Sequence, residues 1–123
     1  MEVGVYMGSA EGSLPQIDFR LALIKGNSGN HFSVKTGDAQ RSESLMTLYE
    51  GPRPPGYEIM QKQGAIVLGI GGDNSPWASG TFYEGAMTAG YASNETDAAV
   101  MANVVAAGYA RRAEKERGTP VEA

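Results

Sequence analysis

The chain has 123 residues, a mass of 13.0 kDa and a formal net charge of −4, with 17 glycines and no cysteine. One ordinary domain has this length, and the composition excludes disorder throughout, a disulfide framework and a cysteine-based zinc site. No lysine and arginine cluster predicts nucleic-acid binding, no apolar run reaches the ~18 residues of a membrane span, and the first residues predict no signal peptide. The single histidine, His31, is expected to be an exposed strand residue rather than a catalytic group.

Strand signals dominate the first 90 residues, and the glycine excess favours short strands joined by turns. Residues 3–7 form a β-rich run, and residues 17–24 place apolar side chains at alternate positions, which predicts a strand with one buried face. A turn at 26–30 then leads to a returning strand at 31–35, so this region predicts a β-hairpin. A further strand is predicted at 44–49.

The middle of the chain alternates between loops and apolar runs. Residues 51–56 contain three prolines and predict a loop, because proline removes donors from a sheet ladder. Residues 65–70 are continuously apolar and predict a strand buried on both faces, which leads into a polar, glycine-rich loop at 71–77. Another strand is predicted at 81–87.

Helical periodicity is confined to the end of the chain. Asn94 is expected to cap a helix, with Asp97 three residues further on. An apolar stripe follows at helical spacing, and core packing is favoured for it over a partner-binding face. Its members are Val100, Met101, Val104 and Val105. The pattern predicts one helix over about 95–115, with a frayed tail over 110–123.

The loop after the apolar run is where these residues place chemistry. Asp73 follows two glycines at the tip of a buried strand, so its carboxyl is open to close approach by a substrate. Next to the apolar run and Trp77, this carboxyl would have a raised pKa and serve as a general acid. The alternative is an Asx turn in which Asp73 and Asn74 bond only their own backbone. A phosphate cradle is disfavoured, because no Lys-Ser/Thr follows the glycines.

Two long motifs connect this loop to a known family. Residues 64–75 read GAIVLGIGGDNS, residues 80–88 read GTFYEGAMT, and the similarity continues through Asn103 to Tyr109. Together they closely resemble the catalytic domain of the arabinofuranosidase B family. The resemblance is strong over 64–109 and weaker over 1–63, and it implies that the chain is the C-terminal portion of such a domain.

The resemblance implies a fold, a reaction and a set of site residues. Enzymes of this family have a jelly-roll β-sandwich and release terminal α-L-arabinofuranosyl residues from arabinan and arabinoxylan with retention of configuration. Asp73 falls on the general acid/base, Glu2 falls on the nucleophile, and Gly72, Asn74 and Trp77 fall at the sugar pocket. Two carboxylates suffice for this chemistry, so no metal or organic cofactor is expected.

The sequence also departs from the family pattern. Val3 replaces an asparagine beside the nucleophile, and the family's cysteine pair and C-terminal arabinose-binding module have no counterpart. Glu84 is a rival carboxylate, better interpreted as a strand or supporting residue. Two other hypotheses are an inactive remnant and a carbohydrate-binding or assembly module, which would use Trp77 and Tyr83 for stacking and its strand edges for self-association. By resemblance, the protein is expected to be extracellular.

Overall fold

A computed structural model describes residues 16–59 and 80–112 of the chain. Its regular elements are β1 (Arg20–Gly26), β2 (Phe32–Asp38), β3 (Met46–Gly51) and α1 (Asn94–Ala106). The three strands form one antiparallel sheet in the order β1-β2-β3, so neighbours in sequence are also neighbours in the sheet. The described residues therefore have a mixed and partial fold, a small sheet with one helix, where the sequence predicts a mainly β sandwich.

The predicted hairpin is present. β1 and β2 pair from Arg20 opposite Asp38 to Gly26 opposite Phe32. The Asn27 amide donates a hydrogen bond to the His31 carbonyl at 3.1 Å and closes the turn between the strands. β1 begins three residues later than the predicted strand at 17–24. Both strands end later than predicted, because the pairing continues through polar residues and glycines as far as Gly26 and Asp38. His31 lies just before β2 and is partly exposed.

β3 lies two residues later than the predicted strand at 44–49, because side-chain hydrogen bonds hold Ser44 in the preceding loop. The Asp38 amide donates to Ser44 Oγ at 2.7 Å, and the Gln40 amide donates to Asp38 Oδ1 at 2.9 Å. These bonds close the connection from β2 before β3 begins at Met46. After β3, the predicted loop is confirmed over residues 52–56.

Helix α1 differs from the prediction at both ends. Ser93 is the N-cap, and its hydroxyl accepts a hydrogen bond from the Thr96 amide at 3.1 Å. Asn94 is instead the first helical residue, and its side chain accepts hydrogen bonds from lysines. The helix ends at Ala106, and Gly108 has a φ of +76°. The prediction of a continuous helix over 95–115 is therefore wrong, since residues 107–111 are not helical.

Within the described ranges, no helix has the length and apolar character of a membrane span.

The predicted strand at 81–87 is also wrong, because residues 80–93 have no regular structure. A strand needs a neighbour for its backbone groups, and none of the three described strands pairs with this stretch. Three aromatic rings hold it instead, those of Phe19, Tyr83 and Tyr109, whose centroids are 5.4 to 5.5 Å apart. The strands predicted at 3–7 and 65–70 lie outside the described residues.

The buried interior of the described residues is small and largely polar. Met101 of α1 is buried against Gly37 of β2, and a Cβ on that glycine would lie 3.1 Å from Met101 Cε. The predicted core role of Met101 is thus confirmed, whereas Val100 is exposed. The buried polar side chains are those of Lys25, Ser33, Lys35, Thr36 and Asp97. The helix consequently meets the sheet through charged groups as well as through a methionine.

Candidate functional site

The site residues predicted from the sequence lie outside the part of the chain that the structure describes. They are Glu2, Gly72, Asp73, Asn74 and Trp77. The described residues end at 59 and resume at 80, so they flank the predicted acid loop on both sides in sequence.

A buried cluster of three charged side chains joins the sheet to α1. Lys25 of β1 and Lys35 of β2 lie on the same side of the hairpin, and both reach Asp97 of the helix. Asp97 Oδ2 is 2.6 Å from Lys25 Nζ and 2.7 Å from Lys35 Nζ. The three side chains are between 2% and 7% exposed, so a polymeric substrate has no access to them.

Neighbouring groups satisfy the two ammonium groups. Asn94 Oδ1 accepts hydrogen bonds from Lys25 Nζ at 3.2 Å and from Lys35 Nζ at 2.9 Å. The Ala92 carbonyl accepts a third bond from Lys25 at 2.8 Å, and the same ammonium lies 4.6 Å from the centre of the Tyr91 ring. All the donors of Lys25 are thus used, which explains how a lysine is buried in so small a fold.

The pKa of Asp97 follows from this arrangement. Burial by itself raises the pKa of the carboxyl, but the hydrogen bonds and charges of Lys25 and Lys35 outweigh it and hold the pKa below its usual value. Asp97 is therefore ionised at neutral pH, and the cluster combines two cations with one anion. Because its carboxylate is buried and paired with two ammonium groups, Asp97 is not open to a reacting molecule. Its role is to hold α1 on the sheet.

A second, more exposed group of side chains lies beside this cluster. Glu50 at the end of β3 accepts a hydrogen bond from the Tyr91 hydroxyl at 3.3 Å, and its Oε1 is 3.5 Å from His31 Nε2. Partial burial and the negative charge of Glu50 raise the pKa of Tyr91, so its hydroxyl stays protonated at neutral pH. These contacts join residues on either side of the segment that carries Asp73.

Glu84, the rival carboxylate in the sequence, has a supporting position. It lies in the irregular stretch before α1 and is exposed. Its hydrogen bond to Tyr109 raises the pKa of that phenol, with burial adding to the effect. Tyr109 in turn stacks on Phe19, and its carbonyl accepts a hydrogen bond from Gln40 at 3.0 Å. Glu84 therefore supports Tyr109, a residue that anchors the end of the described chain. It does so from an irregular segment and not from a strand.

An open groove of about 480 Å³ lies at the turn end of the hairpin and is lined by residues 28–30, 53 and 57–59. Arg53 holds the turn that lines this groove, because the Arg53 guanidinium donates hydrogen bonds to the carbonyls of Gly29 and, at 3.0 Å, Asn27. The Arg53 amide also donates to Asn30 Oδ1 at 3.0 Å. Tyr57 stands at the rim with 73% of its surface exposed. The groove thus combines an exposed aromatic ring with polar groups on a loop that Arg53 holds in place.

Sequence reasoning missed the buried lysine cluster. The available signal was the hairpin itself. Its register pairs Lys25 with Ser33 and Lys35 with Leu23, which places both lysines on the same side of the sheet. Among the described residues, no group of three or more histidine, cysteine, aspartate or glutamate side chains is arranged to hold a metal ion.

Comparison with known proteins places the chain in a family. A family model described as alpha-L-arabinofuranosidase B, catalytic, matches residues 1–110. The chain therefore belongs to the alpha-L-arabinofuranosidase B catalytic family, in agreement with the resemblance carried by the motifs around Asp73.

Individual relatives support this assignment over most of the chain. The chain is 50% identical over 117 residues to the alpha-L-arabinofuranosidase of Hypocrea jecorina, and this match covers 89% of the chain and 23% of the relative. It is 52% identical over 100 residues to the alpha-L-arabinofuranosidase B of Aspergillus oryzae, covering 78% of this chain and 19% of the relative. The chain thus spans less than a quarter of the length of these relatives. No solved structure gives a significant match.

Proposed function

We propose that this chain is part of the catalytic domain of a retaining glycoside hydrolase that releases terminal α-L-arabinofuranosyl residues from arabinan-type and arabinoxylan-type polysaccharides. The observation that carries the proposal is the family match over residues 1–110, which includes the Gly-Gly-Asp-Asn-Ser loop. On this proposal the described sheet is part of a jelly-roll sandwich, and the protein acts outside the cell.

The proposed reaction is a double displacement by two carboxylates about 5–5.5 Å apart. The Glu2 carboxylate attacks the anomeric carbon, while the Asp73 carboxyl protonates the departing glycosidic oxygen. Asp73, now a carboxylate, then takes a proton from water, and that water displaces Glu2 from the sugar with net retention. Gly72, Asn74 and Trp77 line the sugar pocket, and no cofactor takes part.

Release of arabinose from an arabinan oligosaccharide, whose sugar leaving group needs protonation, tests this proposal. General acid/base catalysis contributes roughly 10²- to 10⁴-fold, so Asp73→Asn is expected to lower kcat/KM by at least about 100-fold. Glu84→Gln is the matched control, because it removes an exposed carboxylate from the neighbouring motif and is expected to change the rate by less than about threefold. Hydrolysis by Asp73→Asn at the unmodified rate would refute the assignment of Asp73.

A second candidate function is binding of arabinose-containing polysaccharide without hydrolysis. The groove at the hairpin turn favours it, since an exposed aromatic ring beside amide, hydroxyl and carboxylate groups is suited to stacking against a sugar. Affinity electrophoresis in arabinan tests it. Under this alternative, the chain is retarded without releasing arabinose, Tyr57→Ala abolishes the retardation and Tyr57→Phe preserves it. Equal retardation of all three proteins would exclude the groove as the binding site.

A further inference from the structure

The first turn of α1 carries an acceptor sequence for N-linked glycosylation. Asn94 is followed by Glu95 and Thr96, which meets the requirement for serine or threonine two residues after an asparagine, with no proline between them. The sequence contains five asparagines, and the other four have glycine, phenylalanine, proline or valine at that position. Asn94 is therefore the one asparagine of the chain that this modification can reach.

The orientation of the Asn94 side chain leaves its amide nitrogen on the outside. Asn94 and the residues on either side of it are exposed. Its Oδ1 accepts hydrogen bonds from Lys25 Nζ at 3.2 Å and from Lys35 Nζ at 2.9 Å, and an ammonium group only donates, so the oxygen and not the nitrogen faces the lysines. The nitrogen, which is the atom that receives a glycan, is at the other corner of the carboxamide.

Attachment of a sugar at this nitrogen preserves the contacts with the lysines. Asn94 Nδ2 attacks the anomeric carbon of a lipid-linked oligosaccharide diphosphate. A carbon–nitrogen bond forms as the bond from that carbon to the diphosphate oxygen breaks, the nitrogen loses one proton, and the lipid diphosphate leaves. The product is still an amide, so Oδ1 remains an acceptor for both ammonium groups. The fold can therefore carry a glycan here without opening the buried cluster around Asp97.

We propose that Asn94 is a site of N-linked glycosylation and that its glycan extends into solvent from the first turn of α1. The inference rests on the proposed location outside the cell, because this modification belongs to secreted proteins. A glycan is bulky and hydrated, so an occupied site keeps residues 93–96 at the surface of the complete domain. No protein partner then packs on this turn of the helix.

Thr96 allows the acceptor sequence to be removed without touching Asn94. Its backbone amide donates to Ser93 Oγ at 3.1 Å and makes the helix cap, whereas its exposed hydroxyl lies 3.1 Å from the same oxygen. Thr96→Ala keeps the amide, the cap and the lysine contacts of Asn94, but it lacks the hydroxyl that the acceptor sequence requires. Thr96→Ser is the matched control, because it retains a hydroxyl at the same position.

Secretion of the 123-residue chain from yeast behind a cleaved signal sequence tests the proposal. Peptides are mapped by mass spectrometry before and after a peptide N-glycosidase has released the glycan in oxygen-labelled water. We expect an oligosaccharide on Asn94 in the unmodified sequence and in Thr96→Ser, and none in Thr96→Ala. Urea unfolding then compares the glycosylated chain with the same chain made in bacteria. The midpoint is expected to shift by less than about 0.5 M, whereas Asn94→Ala, which removes the oxygen shared by the lysines, is expected to lower it by about 1 M.

Three results would overturn the inference. The first is a secreted chain that carries no glycan on Asn94, and the second is equal occupancy in Thr96→Ala and in the unmodified sequence. The third is a glycosylated chain whose urea midpoint falls as far as that of Asn94→Ala, since the glycan would then displace the lysine contacts. Hydrolysis enters none of these measurements. An unoccupied Asn94 therefore leaves the proposed reaction untouched, and a chain that is glycosylated but inactive counts against the proposed function alone.

Discussion

Asp97→Asn is the substitution for which the structure predicts the largest loss of stability. Asp97 is the anion between two buried lysines, and its Oδ2 lies 2.6 and 2.7 Å from their nitrogens. Asparagine keeps the size of the side chain and one acceptor oxygen but removes the charge. Lys25 and Lys35 would then remain buried, with positive charge and no counter-ion.

The magnitude follows from two opposing contributions. At an effective dielectric constant of ~20, each ion contact of this length is worth about 6 kcal/mol, and most of that gain is cancelled by the cost of removing the ions from water. Removing one partner leaves the desolvation cost of the other ion without the attraction that offset it. Removing one partner of a buried ion pair therefore typically lowers the stability of a protein by about 3–5 kcal/mol. Since small domains are stable by only about 5–15 kcal/mol, this loss is a large share of the total.

Urea unfolding followed by circular dichroism at 222 nm measures the effect on the 123-residue chain. With a slope of about 1–2 kcal/mol per molar urea, a loss of 3 kcal/mol lowers the midpoint by more than about 1 M. Glu95→Gln is the matched control: it removes the other acidic side chain in the first turn of α1, so it reproduces any helix-dipole effect. Its expected cost is below about 1 kcal/mol.

A combined variant separates charge pairing from simple packing. Replacing Lys25 and Lys35 with methionine and Asp97 with leucine removes all three charges at once. This variant is expected to be as stable as the unmodified chain, or more stable, because no ion remains to be desolvated. The reasoning is refuted if Asp97→Asn costs no more than Glu95→Gln, or if the combined variant is as unstable as the single one.

The other predictions concern the same helix and its contact with the sheet. As the pH falls below the ordinary aspartate pKa of about 3.9, the free energy of unfolding should decrease until the pH passes the lower pKa that Asp97 has in the folded state. Urea midpoints measured against pH should show this decrease, and Asp97→Asn should make it smaller. Ser93→Ala removes the N-cap acceptor and should cost about 1 kcal/mol, seen as a lower thermal midpoint, whereas Ser93→Asp should preserve it. Gly37→Ala should cost about 1–3 kcal/mol because the new methyl group meets Met101, while Gly80→Ala, with open space around it, should be near neutral in the same assay.

Local sequence rules predict the hairpin and the helix because their causes are local. The turn residues at 26–30 and the flanking apolar alternation lie within a few residues of the contacts that they form. The helix position follows from its apolar stripe, although Ser93 rather than Asn94 caps it, since the Asn94 side chain is bonded to the lysines. Residue type alone favours Asn94 as the cap, because it carries no information about the competing contact with the lysines.

The failures have non-local causes. Lys35 and Asp97 are 62 residues apart in sequence, and burial of a lysine is predicted only if its partner is known in advance. Residues 81–87 have strand-like composition, but a strand forms only where another strand accepts its hydrogen bonds, and the described sheet provides none. Motif recognition identified the family, whereas the predicted site residues lie outside the described ranges, so their geometry stays a prediction.

The hydrogen bond between Glu50 and Tyr91 joins two residues that are 41 positions apart in sequence. Glu50 lies in β3 and Tyr91 lies just before α1, so the contact ties the last strand of the described sheet to the segment that leads into the helix. Bringing two such positions together costs conformational entropy that grows only with the logarithm of their separation, about 0.6 kcal/mol for each doubling. The length of chain between the two residues therefore contributes little to the cost of forming this contact.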